Sequence, residues 1–160
     1  MQVMICSRHD VEEWLQSGGF PLDTAVISFY DPPSVAAEGY RTLDYSGVVS
    51  DVMYIGLPDL DWFAYGGAAR LTGGLFPEAD ACADFILNAA KHSRIILCQC
   101  EYGKSRSAGC AAAIMEYFYG NGKGIFSDPR YYPNHLVYSE LLRTLHEKGD
   151  LHEKGCLLAD

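Results

Sequence analysis

A chain of 160 residues is long enough for one ordinary domain and too short for two. Hydrophobic residues at 49% against 21% charged exclude intrinsic disorder. Twenty-one acidic residues against twelve basic ones leave a formal charge of -9, which repels duplex nucleic acid and anionic membranes, so neither is expected as a partner.

Met1 to Cys6 is β-prone and reads as a first strand. It lacks the basic start, apolar stretch and small-residue cleavage site of a signal peptide, and a cytoplasmic protein is expected. A helix follows from His9, with Asp10 and Glu13 as a capping box, Val11, Trp14 and Leu15 as an apolar stripe, and Gly18-Gly19 as its stop. Thr24 to Tyr30 is a second strand, closed by Asp31-Pro32-Pro33. A short helix is expected within Ser34 to Leu43, a third strand within Val48 to Leu57, and loop from Asp59 to Gly74.

Pro77 opens a helix with Cys82, Phe85, Ile86 and Ala89 on one face. Arg94 to Cys100 is apolar enough for a buried central strand. After a loop over 101–105, Arg106 to Tyr119 reads as a buried Ala-rich helix ended by Gly120-Asn121-Gly122. Its longest small or apolar run, Ala108 to Met115, is far short of the roughly 20 residues that span a bilayer. A last helix is predicted from Asn134 to about Lys148, packing through Tyr138, Leu141, Leu142 and Leu145. Alternating strands and helices imply an α/β layered domain over residues 1–150, with 151–160 a short tail. Within that end Leu145-His-Glu-Lys-Gly149 recurs as Leu151-His-Glu-Lys-Gly155. This reads as a duplicated solvated segment in preference to a metal site from His146 and His152.

Six thiols, Cys6, Cys82, Cys98, Cys100, Cys110 and Cys156, form no CxxC pair, so a zinc ribbon is unsupported and most should pack as reduced core residues. Cys100 stands apart. Cys100-Glu-Tyr-Gly-Lys-Ser-Arg106 places five residues between a cysteine and an arginine, a CX5R spacing that alone arises by chance in roughly one such sequence in four. Gly103 within the loop, Ser107 after the arginine, and the position between a buried strand and a buried helix make the signal specific. A loop at a helix N-terminus turns backbone N–H groups inward as a cradle for a tetrahedral dianion, here those of Glu101, Tyr102, Gly103, Lys104, Ser105 and Arg106. Gly103 permits the left-handed geometry such a loop needs. Arg106 supplies a planar fork for two phosphate oxygens. The same positive field favours a thiolate at Cys100, a nucleophile below the bound phosphorus, and Ser107 is placed to hydrogen-bond the sulfur as it leaves.

Ile95 to Ser107 resembles the signature strand and loop of the cysteine-based protein tyrosine phosphatases, most closely their small dual-specificity branch. The likeness extends to Tyr54-Ile-Gly-Leu-Pro-Asp-Leu-Asp61 and to Tyr132-Pro-Asn134. It implies a central, mostly parallel sheet flanked by helices on both faces, and phosphate-monoester hydrolysis through a phosphocysteine. It also implies no metal or other cofactor. Expected partners are a phosphorylated protein or peptide or a small phosphate monoester, with phosphate, sulfate or vanadate able to fill the site. A general acid is implied on the loop before the cysteine. Asp59 and Asp61 are the candidates, with Asp61 preferred and the other a solvated turn residue. Asn134 is implied to brace the phosphate loop, although it reads equally as a helix cap.

This chain departs from the family at Gln99, where a histidine usually precedes the nucleophile, and in lacking a counterpart to the long aromatic loop of the tyrosine-specific members. A shallow site is expected, with Tyr30, Tyr40 or Tyr102 as candidate walls. Lys104 is a feature of relatives that act on inositol phosphates or phosphoinositides, which the charge of -9 opposes. Gln99 also leaves open a phosphate-binding module without useful catalysis. Sulfur transfer and arsenate reduction fit the loop less well. Cys98 and Cys110, if not simply core residues, are candidates to trap an oxidised Cys100.

Overall fold

The computed structural model describes residues 1–60 and 75–157, with side chains through Asp150. Strand β1 (Gln2–Ser7) runs directly into helix α1 (Arg8–Ser17), and β2 (Thr24–Tyr30) and β3 (Val52–Gly56) come next. Helix α2 (Ala79–His92) leads to β4 (Ile95–Cys100), followed by α3 (Arg106–Tyr119), the single turn α4 (Lys123–Phe126) and α5 (His135–Leu157). The strands form one sheet in the order β1-β4-β2-β3, and every pairing is parallel. The architecture is α/β, a central parallel sheet with helices on both faces.

The period of two along each strand divides the apolar residues between two cores. Ala25, Ile27 and Phe29 of β2 and Ile96, Cys98 and Cys100 of β4 face the larger one, which α2, α3 and α5 cover with Ile86, Ile114, Val137 and Leu141. Val26 and Leu97 face the other, closed by Val11 of α1 and by Phe20, Leu43 and Tyr45. An inner strand with apolar residues on both faces is what a parallel sheet requires. Among the described residues no helix is long and apolar enough to cross a membrane.

Several boundaries depart from the sequence-based expectation. The α1 capping box lies one turn earlier: Ser7 is the cap, its hydroxyl accepting from Asp10 N at 3.1 Å while the Asp10 carboxylate accepts from Ser7 N at 2.9 Å. Ser34 to Leu43 holds turns but no helix. This segment instead leads into Leu43 and Tyr45, buried on either side of the exposed Asp44, an alternation that suits extended backbone. Helix α2 starts two residues after Pro77. The turn α4 was not expected, and α5 continues past Lys148 to Leu157, so the repeated Leu-His-Glu-Lys-Gly segment is helical in both copies. His146 packs edge-on against Tyr117 at 5.2 Å, and the His152 side chain lies outside the described residues.

Candidate active site

Parallel strands bring all their carboxyl ends to one edge of the sheet, where crevices form. Ser7 and Arg8 end or follow β1, Asp31 follows β2 and Leu57 follows β3, and these residues flank the CX5R loop that leaves β4 at Cys100. The loop is pinned on two sides. Arg8 N donates to Glu101 O at 3.1 Å, and Gly103, at φ +65°, lies so close to β1 that a Cβ there would stand 2.6 Å from Ser7 N. That contact and the left-handed backbone both demand glycine. Opposite, Tyr132 N donates to Lys104 O at 2.9 Å and Asn134 N to Ser105 O at 3.1 Å. Gly109 lets α3 approach this second segment, since a Cβ there would lie 2.5 Å from Asn134 O.

Cys100 ends β4 and Ser107 occupies the second position of α3, which brings the Cys100 Sγ and Ser107 Oγ atoms to 3.0 Å. Both side chains are buried. Between them in sequence, Arg106 is only 2% exposed. Its Nη1 donates to Asp31 Oδ1 at 2.7 Å and to Leu57 O at 2.6 Å. Its Nε is buried and has no hydrogen-bond partner among the described residues, the Asp59 carboxylate standing 4.0 Å away. Ser105, the residue before α3, makes no side-chain cap and donates its hydroxyl to Asp59 Oδ1 at 2.6 Å.

Of the two candidate acids, Asp59 lies against the phosphate loop and Asp61 lies outside the described residues. The Asn134 side chain braces the Asp59–Leu60 segment, not the CX5R loop: Nδ2 donates to Asp59 Oδ1 at 3.2 Å and to Leu60 O at 3.0 Å. Its Oδ1 accepts from Val137 N at 3.0 Å, so it also caps α5. One asparagine therefore ties three segments together, because its backbone N–H already holds Ser105.

Gln99 is 2% exposed and lies on the opposite face of β4 from Cys100. Its Oε1 accepts a 2.6 Å hydrogen bond from Ser28 on the neighbouring strand and a longer one, 3.5 Å, from the Tyr45 hydroxyl. Burial holds the Tyr45 phenol well above its ordinary pKa. Two donors thus fix the carboxamide at the position where the phosphatase family usually has histidine.

The remaining candidates separate by exposure. Lys104 and Tyr102 are exposed, Tyr102 at 75%, and form rim rather than wall. Tyr40 is partly buried beneath the Arg8 guanidinium, 5.1 Å from its ring centroid, and Tyr30 lies over Gly56. Cys98 and Cys110 meet each other, sulfur to sulfur at 3.6 Å, while the Cys100 sulfur meets Ser107. Burial, then contacts with Cys82 and Cys98, push the Cys110 thiol up, and burial ahead of the Asp10 charge pushes Cys6 up to about 12. These thiols are core residues.

Asp31 is the participant that the sequence pattern did not single out. Asp-Pro-Pro reads as a strand stop, and only the parallel register of β2 with β3 shows that its carboxylate reaches Arg106. Among the described residues no group of three or more His, Cys, Asp or Glu could hold a metal ion. No family model matches the chain, and no curated protein does.

Proposed function

We propose that the chain is a metal-independent cysteine phosphatase that hydrolyses phosphate monoesters in two steps. The observation that supports it most is the Cys100 sulfur, 3.0 Å from the Ser107 hydroxyl at the start of a buried helix, next to an equally buried Arg106. The Cys100 thiolate attacks phosphorus, forming the S–P bond as the ester P–O bond breaks, and Asp61 gives its proton to the leaving oxygen. Water then attacks the phosphocysteine with Asp61 as base, the S–P bond breaks, and Ser107 hydrogen-bonds the departing thiolate. Arg106 and the loop N–H groups stabilise the equatorial oxygens throughout. Asp59 Oδ1 already accepts from Ser105 and Asn134, which favours a bracing role for Asp59 and leaves the proton transfer to Asp61.

Asp31, Asp59 and Glu101 crowd carboxylates around the site, and Lys104 is the one lysine in the loop. That balance, with the net charge of -9, favours esters bearing a single phosphate, such as a phosphorylated protein or peptide, over multiply phosphorylated inositols or lipids. The test is hydrolysis of p-nitrophenyl phosphate between pH 5 and 8 with chelator present. Wild type should turn over and be blocked by vanadate. Cys100→Ser should lose at least about a thousandfold in kcat while still binding phosphate, and Asp61→Asn about a hundredfold. Full activity in Cys100→Ser would sink the proposal. A wild type that is inert yet stabilised by vanadate would leave a phosphate-binding module in its place.

A further inference from the structure

An arginine that grips phosphate has five N–H donors, and the edge it presents depends on what holds the others. In Arg106, Nη1 is held by Asp31 at 2.7 Å and by the Leu57 carbonyl at 2.6 Å. Nε is buried without a hydrogen-bond partner among the described residues. A buried guanidinium N–H with no acceptor is costly, so it marks the edge that an incoming anion would satisfy. We propose that Asp31 is a positioning residue that fixes Arg106 so that its Nε edge faces the bound phosphate. This inference rests on the phosphatase function proposed above.

The sheet sets the two anchors side by side. Tyr30 pairs with Gly56 in the β2–β3 register, so Asp31 and Leu57 are the next residues on adjacent strands, joined by Leu57 N donating to Tyr30 O at 3.2 Å. Pro32 restricts the backbone of Asp31 to extended conformations, and the rings of Pro32 and Pro33 stiffen the turn beyond it. The Leu57 carbonyl is a neutral acceptor, whereas Asp31 makes the charge-assisted contact, the stronger kind by roughly twofold. With its side chain 29% exposed, Asp31 is not there to fill the core.

Vanadate binding by calorimetry on the full chain tests this, with wild type, Asp31→Asn, Arg106→Lys and the double variant. Asparagine keeps an acceptor and removes the charge. Asp31→Asn should weaken vanadate binding by about tenfold and raise KM for p-nitrophenyl phosphate, at an unchanged melting temperature. In the Arg106→Lys background the same change should matter by less than about twofold, because lysine has no fork to orient. Equal vanadate affinity in wild type and Asp31→Asn would overturn the role of Asp31 and leave the phosphatase standing. An undiminished Asp31→Asn effect in the Arg106→Lys background would overturn it too, and this comparison still decides if Asp31→Asn lowers the melting temperature. A wild type that binds neither vanadate nor phosphate overturns the phosphatase, and the inference with it.

Discussion

Helices α1 and α3 follow the adjacent strands β1 and β4 of the same parallel sheet, α1 directly and α3 across the loop 101–105, and their first turns are built in opposite ways. At α1, Ser7 and Asp10 close a reciprocal box, and a carboxylate sits on the positive end of the helix. At α3, Ser105 makes no cap, the first turn carries no acid, and the Ser105 hydroxyl is directed to Asp59 on another loop. In a chain of net charge -9, keeping carboxylates out of that turn leaves its N–H groups for an anion from outside. One end is satisfied by its own side chains and serves stability. The other has no side-chain cap, its Ser105 is tied to Asp59 and Asn134, and under the proposed function it is the end that would receive the phosphate.

Substitutions can break this contrast. The largest effect is expected from Gly103→Ala, which imposes a strained φ and a clash with Ser7 N. It should cost about 1–3 kcal/mol in urea denaturation and abolish vanadate binding with it. Ser7→Ala should remove about 1 kcal/mol of stability with turnover unchanged. Ser105→Ala should do the reverse, moving stability by less than about 0.5 kcal/mol while kcat/KM falls by about fivefold as Asp59 loses the shorter of its two hydrogen bonds. If Ser7→Ala lowers turnover as much as Ser105→Ala does, the two ends do not differ in kind.

The smallest effect is in pH. Hydrogen bonds from the Ser7 side chain, then its backbone, hold the Asp10 carboxyl below its ordinary value of 3.8. A depressed carboxyl contributes stability that is fully present above the ordinary value and lost as pH falls through the folded one. The deficit of Ser7→Ala in thermal melts should therefore shrink on going from pH 6 towards about pH 2. A constant deficit would show that Asp10 is not its source.

How much of the molecule is legible in the sequence depends on how local each cause is. The bounds of α3 were readable to the residue, since a strand, a CX5R loop and an Ala-rich run stopped by Gly120 are all local signals. The α1 cap lies one turn before the expected one because Asp10 suits equally the cap and the third helical position, and only the end of β1 decides which. A short helix is expected within Ser34 to Leu43, yet the segment holds turns and delivers Leu43 and Tyr45 to the second core, a tertiary demand that local sequence does not carry. Cys100, Arg106 and Ser107 were evident from spacing. Asp31 was not, because its link to Arg106 crosses 75 residues and exists only through sheet register. Asn134 was legible as a cap and as a brace, but which loop its side chain reaches is a tertiary fact.

Gln99 carries one more consequence. A carboxamide neither gains nor loses a proton in the working range of an enzyme, and Ser28 and the buried Tyr45 that hold it stay neutral there as well. A histidine in the same place would change charge close to neutrality. The position before Cys100 thus keeps one electrical state in acid and in base. A pH–rate profile would then carry no contribution from this position, where a histidine would add one near neutrality.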